Sequence, residues 1–325
     1  MNGPPGDRPL ASISLDLDNL WSYMKIHGES GWKSFPTYLD KLTSVAAGCL
    51  SKHGLKITVF VVGQDAALEK NREALTRIAS EGHEIGNHSF SHEPWFQKYS
   101  YDRAYREISE AEEHIERLTG KRPLGYRGPG FSFSRDSLEI LAQRGYSYDA
   151  STFPTFIGPL ARTYYFWTAS GLSQREREER KELYGALRDG LRSIRPYLWD
   201  LPDGKELLEI PVTTMPVVRL PFHMSYLLYL AGFSKIACKG YLQSALLLCR
   251  ACRVQPSFLL HPLDFLGCDL VDELSFFPGM STPTDCKLAL FDHVIATLGR
   301  YFRLVTMDEF ARSVRESTSL RTVRP

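Results

Sequence analysis

Between residues 11 and 153 the chain alternates short apolar runs with stretches of helical periodicity, and this rhythm restricts its fold more than any other feature. Runs occur at 11–17, 55–62 and 146–149. The second is continuous and rich in β-branched residues, which suits a parallel strand covered on both faces. Over 36–53, Leu39, Leu42, Val45, Ala46 and Leu50 fall at helical spacing, with Gly54 as a stop. Asp65 stands where it would cap a helix running to about Ser80, ended by Gly82. Ala104, Ile108, Ala111, Ile115 and Leu118 recur at intervals of four and three, an amphipathic helix closed by Gly120 and Pro123. Another helix is expected over 135–144, and the aromatic, glycine-bearing segment 21–36 is expected to be loop. Such alternation indicates a parallel sheet whose loops gather at the C-terminal ends of its strands.

Polar residues collect where those ends fall. Asp16 and Asp18 close the first run and, at side-chain period two, share one side of a continuing strand. His88 and His92 stand four apart after the turn Gly86-Asn87; a helical turn would stack both imidazoles on one face. Two neutral ring nitrogens and a carboxylate from elsewhere would form an open three-ligand metal site, although the spacing alone is weak evidence. Arg127 lies in Gly125-Tyr-Arg-Gly-Pro-Gly130, Asp149 ends the run at 146–149, and His261 ends a strand expected at 257–261. Their shared position at strand ends favours a site over scattered surface polarity.

The remainder is less regular. Residues 154–206 begin with Tyr164, Tyr165, Phe166 and Trp167 and continue into the charged run at 174–182, read as a solvated helix face. Residues 207–215 read as a strand. Residues 224–253 read as a helix pair broken near Gly232, either packed on the core or presenting an interfacial surface to lipid. A helix at 282–300, a strand at 302–305 and a capping box at Thr306–Glu309 complete the pattern.

Bulk properties exclude several classes. With 43% apolar and 24% charged residues in 325, the chain is not of disordered composition, and a net charge of +1 gives no broad basic field for nucleic acid. No apolar run approaches a membrane span, and MNGPPGDRPLAS has no charged segment leading into an apolar one. A cytoplasmic protein, with contact to the inner membrane face through 222–255 as the variant, is therefore expected. The six cysteines include one C-x-x-C, Cys249–Cys252, within a Leu-rich helical pattern, so reduced and mostly buried thiols are expected.

Taken in order, these sites resemble the five motifs of the polysaccharide deacetylases, the NodB-homology carbohydrate esterases, across about 11–153 and 207–310. Ser14-Leu-Asp16-Leu-Asp18 resembles the first, His88-Ser-Phe-Ser-His92 the second, and Arg127-Gly-Pro-Gly-Phe131 the third. Tyr148-Asp-Ala-Ser151 resembles the fourth, and Leu259-Leu-His261-Pro-Leu-Asp264 the fifth. The aspartates are adjacent in the familiar form, whereas here Leu17 separates them; the gap from Asp149 to His261 is also long.

The resemblance implies an α/β, distorted (β/α)-barrel-like domain, seven-stranded in one version, over 11–315. A flexible leader at 1–10, inserted lobes at about 154–206 and 222–255, and a tail at 316–325 would flank or interrupt it. It further implies a divalent metal, zinc first, on Asp18, His88 and His92. Asp16 would be the base, with the two aspartates' roles exchangeable, and Gly130 or Phe131 would supply a backbone N–H to the oxyanion. Arg127 would hold Asp16 ionised, and His261 would be the acid, tuned by a carboxylate such as Asp149. The implied reaction is removal of an N-acyl group from an amino-sugar glycan or a lipid-linked sugar. The competing readings are a C–N hydrolase acting on a non-sugar amide and a catalytically silent carbohydrate- or lipid-binding protein.

Overall fold

The computed structural model describes residues 8–157, 187–317 and 319–325. Its central strand, β1 (Leu10–Asp16), is buried along its whole length. In parallel it pairs with β2 (Thr58–Val61), β8 (Ser257–Leu260) and β9 (Arg303–Val305). Outward from β2, also parallel, follow β3 (Glu84–Asn87), β4 (Gly125–Tyr126), β5 (Tyr148–Asp149) and β7 (Glu206–Glu209). Beyond them β6 (Tyr197–Asp200) runs antiparallel to β7, and β10 (Thr322–Val323) pairs with β6.

The sheet closes on itself. After β7 the chain stays extended: Ile210 N–H donates to Asp149 O, and Val212 N–H to Thr152 O. Thr213 N–H then reaches Ser257 O at 3.0 Å, while Ser257 N–H donates to Thr213 Oγ1 at 2.8 Å. The ring β1-β2-β3-β4-β5-β7-β8 is thus the distorted, seven-stranded (β/α) barrel expected from sequence. With β4 and β5 only two residues long, most rim segments are free to leave the ladder and carry side chains inward.

Helices α2 (Leu39–Lys52), α5 (Tyr101–Thr119), α6 (Arg135–Gln143) and α9 (Thr284–Tyr301) fall where periodicity placed them. Three expectations change. First, 21–36 is not all loop: α1 (Leu20–His27) forms because Asn19 Oδ1 accepts from Leu20 N–H and Gly28 takes the left-handed conformation that ends it. Secondly, the helix expected from Asp65 is two pieces, α3 (Gly63–Ala67) and α4 (Arg72–Ser80). Thirdly, the pair α7 (Met224–Phe233) and α8 (Lys235–Ala251) breaks at Ser234, not Gly232; the Ser234 hydroxyl accepts from Ala237 N–H and starts α8.

Before α10 (Met307–Ser317), Thr306 Oγ1 accepts from Glu309 N–H, but the Glu309 carboxylate pairs with Arg303, so only half of the capping box forms. Among the described residues, no helix is long and apolar enough to cross a membrane. The aromatic group at 164–167 and the charged run at 174–182 lie outside the described residues.

Candidate metal and hydrolytic site

Register alone brings the candidate residues to one rim. Leu15 pairs with Leu260 and Asp16 with Phe60, so His261 lies beside Asp16 on the neighbouring strand. Phe60 pairs with Gly86, Asn87 with Tyr126, and Tyr126 with Asp149. With neighbouring strands about 4.8 Å apart, the residues just past these pairs, His88 and Arg127 among them, emerge on the same side.

Asp18 Oδ1 lies 2.8 Å from His92 Nε2 and 3.4 Å from His88 Nε2, and one ligand atom from each residue falls within 4.8 Å of the others. His88 Nδ1 is 2.6 Å from the Arg127 carbonyl, an acceptor that places the hydrogen on Nδ1 and leaves Nε2 a lone pair. Buried Asp18 Oδ1 has both imidazole nitrogens near it yet makes no well-formed hydrogen bond. Lone pairs converging on one point give that geometry. Two imidazoles and one carboxylate suit a divalent ion with an open position, so the residues fit the metal.

Charge follows the same arrangement. Burial alone would raise the Asp18 carboxyl, but His92 and His88 outweigh it and hold Asp18 well below the usual carboxylate range. Burial would lower His88; the close Asp18 carboxylate, with Asp16 nearby, raises it above the ordinary 6.5 instead.

The two histidines do not stack on a helical turn. They flank a loop in which Ser89 and His92 have φ of 60° and 51°, and their rings lie 5.1 Å apart. Side chains hold this loop: Asn87 Oδ1 accepts from Ser89 N–H, and Glu107 Oε2 of α5 accepts from Phe90 and Ser91 at 3.1 and 2.8 Å. Asp65, rather than capping a helix, is buried and accepts from Asn19, Trp21 and Asn71, fixing the chain next to Asp18. Burial, against those three donors, pushes its carboxyl up to about 6.

Arg127 is wholly buried. It reaches Asp16 Oδ1 at 2.6 Å and Ser14 Oγ at 2.8 Å through Nη1, reaches Ala150 O through Nε, and lies over the Phe60 ring. Removing either partner of such a buried pair costs about 3–5 kcal/mol. In the following loop Phe131 N–H donates to Gly128 O, which leaves Gly130 as the backbone donor of the two considered.

His261 is oriented by neighbours other than the one expected. Its Nδ1 is 3.1 Å from Ser225 Oγ, and its backbone N–H donates to buried Asp264. Buried Lys287 ties the Leu263 and Leu266 carbonyls of the same turn, each at 2.7 Å. Asp149 instead faces Glu209, its register partner on β7, and accepts from Ser151 Oγ at 2.5 Å. Cross-strand partners have Cβ atoms about 5 Å apart, so the pairing follows from register. Burial raises both carboxyls, and Asp149's charge raises Glu209 further.

Tyr23 links the two halves of the rim: burial first, then Asp18, Tyr38, Asp264 and Asp16, push its hydroxyl well above the ordinary value. No spacing rule pointed to Glu107, Ser225 or His223. The His223 ring lies 6.0 Å from that of His261.

Residues 31–148 match the family profile described as polysaccharide deacetylase. The peptidoglycan-N-acetylglucosamine deacetylase of Bacillus cereus is 39% identical over 94 residues, 29% of this chain and 30% of that protein. The peptidoglycan deacetylase of Helicobacter pylori is 31% identical over 157 residues, 46% of this chain and 52% of that protein. The chain therefore spans about half or less of the length of these curated relatives. Among solved structures, Puue allantoinase superposes with a TM-score of 0.58 at 17% identity, covering 97% of this chain and 95% of that one, a likeness of fold.

Proposed function

We propose that the chain, whose residues 31–148 match the polysaccharide deacetylase profile, is a divalent-metal-dependent hydrolase of N-acylated amino sugars. The observation that carries this reading is the convergence of Asp18, His88 and His92 beside an Asp16 clamped by Arg127.

Held by Asp18, His88 and His92, zinc would supply Lewis acidity toward the acyl oxygen and the attacking water. Asp16 takes the proton as the water oxygen bonds to the acyl carbon. Arg127 holds the Asp16 carboxylate in place, and the Gly130 N–H faces the developing oxyanion. His261, its Nδ1 held by Ser225, gives its proton to the nitrogen as the C–N bond breaks. Carboxylate and free amine leave.

The substrate class rests on the relatives, whose names specify peptidoglycan sugars. A lipid-linked sugar reached at the inner face of the membrane is the finer proposal. Its support is the apolar tip of α7–α8, where Tyr229, Phe233 and Ile236 are 56%, 76% and 85% exposed beside exposed Lys235 and Lys239. Such a tip suits an anionic interface.

Zinc-loaded protein should release acetate from N-acetylglucosamine oligomers. Asp16→Asn and His261→Ala should each lower the rate by about 10²–10⁴. Unchanged rates in both variants would overturn the mechanism.

A further inference from the structure

The segment leading into α7 brings a second histidine to the mouth of the barrel. The His223 ring lies 6.0 Å from His261, 5.5 Å from Tyr226 and 5.7 Å from Phe153; Phe153 in turn packs 4.9 Å from Phe131. These rings form a continuous wall from the loop after Arg127 to the candidate acid. His223 Nδ1 is buried without a hydrogen-bond partner, while the residue keeps partial exposure. Orphaned buried N–H groups are rare, and an unfilled lone pair is tolerated better. The hydrogen therefore belongs on Nε2, the nitrogen left to serve a ligand. Burial, reinforced by the neighbouring His261, pushes His223 down to about 3, so it remains an uncharged donor near neutral pH.

We propose that His223 contacts the substrate, donating its Nε2–H to a sugar oxygen next to the scissile N-acyl group while Phe153 and Tyr226 flank the sugar ring. The proposal rests on the deacetylase reading above. It makes His223 a residue of substrate binding, not of proton transfer. The position also gives the inserted helix pair a part in recognition, since His223 and Ser225 both lie at the start of α7.

Zinc-loaded wild type, His223→Phe and His223→Gln are compared on chitotetraose, with zinc content and thermal midpoint measured for each. His223→Phe, which keeps an aromatic ring but loses the donor, should raise KM about tenfold with little change in kcat, as loss of one neutral hydrogen bond predicts. His223→Gln, which can still donate, should recover part of the loss. Calorimetric binding of chitotetraose to His261→Ala protein, with and without His223→Phe, should show the same tenfold loss without turnover. Wild-type KM and binding in both His223 variants would overturn the proposal while leaving the deacetylase reading intact. Absence of both binding and turnover in the wild type would instead overturn that reading, and this proposal with it.

Discussion

Asp16 ends β1 and Asp18 stands two residues beyond it, yet they meet opposite surroundings. Asp16 is met by a guanidinium, Asp18 by two imidazoles. Under the proposed function, that division favours Asp16 as base and Asp18 as ligand, roles the resemblance left exchangeable. It also makes zinc retention depend on pH, because a ligand nitrogen must be free of its proton. The folded protein raises His88 above 6.5, so protons compete with metal once pH falls through that raised value. Zinc affinity measured at stepped pH should weaken as pH falls. An affinity that does not change with pH would contradict the assignment of His88. That Asp18, His88 and His92 would meet was legible because polar groups ended apolar runs. The partners of Asp149 and His261 were not, since cross-strand register is invisible in a single run of letters.

Elements carry the next layer. Amphipathic spacing was enough for α2, α5 and α6, whose buried faces follow their apolar residues. It failed for α1, where one cap and one left-handed glycine decide the structure, and for the metal loop, which Glu107 holds from a distant helix. In the α7–α8 pair, Met224, Leu227, Leu242 and Leu246 pack inward, as the core-packed reading expects, while Phe233 and Ile236 project outward. Wild-type protein should float with vesicles containing phosphatidylglycerol, and Phe233→Glu with Ile236→Glu should abolish flotation. Equal flotation of both proteins would remove the membrane proposal.

At the scale of the whole molecule, closure of the ring places a carboxylate pair inside it. Asp149 and Glu209 are both raised, chiefly by burial, above ordinary values of 3.8 and 4.5. Groups raised in the folded state give stability that is fully present below those values and is lost as pH rises through the folded ones. Urea unfolding should therefore show stability falling as pH rises above about 4.5. Asp149→Asn, which removes one of the two raised carboxyls, should flatten that slope; an unchanged slope would contradict this account of the pair.

The parallel sheet was readable from strand–helix alternation and its barrel form from the family resemblance, whereas its closure through Thr213 and Ser257 was not, because that contact depends on the turn of the chain after β7. The central claim is that this closed rim gathers three residues around one cation. Diffraction from zinc-loaded crystals at the zinc absorption edge tests it directly. The account predicts one anomalous peak at about 2.0–2.2 Å from an Asp18 carboxylate oxygen and from Nε2 of His88 and His92, with Asp16 left on Arg127. A peak elsewhere, or one that takes Asp16 as a ligand in place of Asp18, would contradict it.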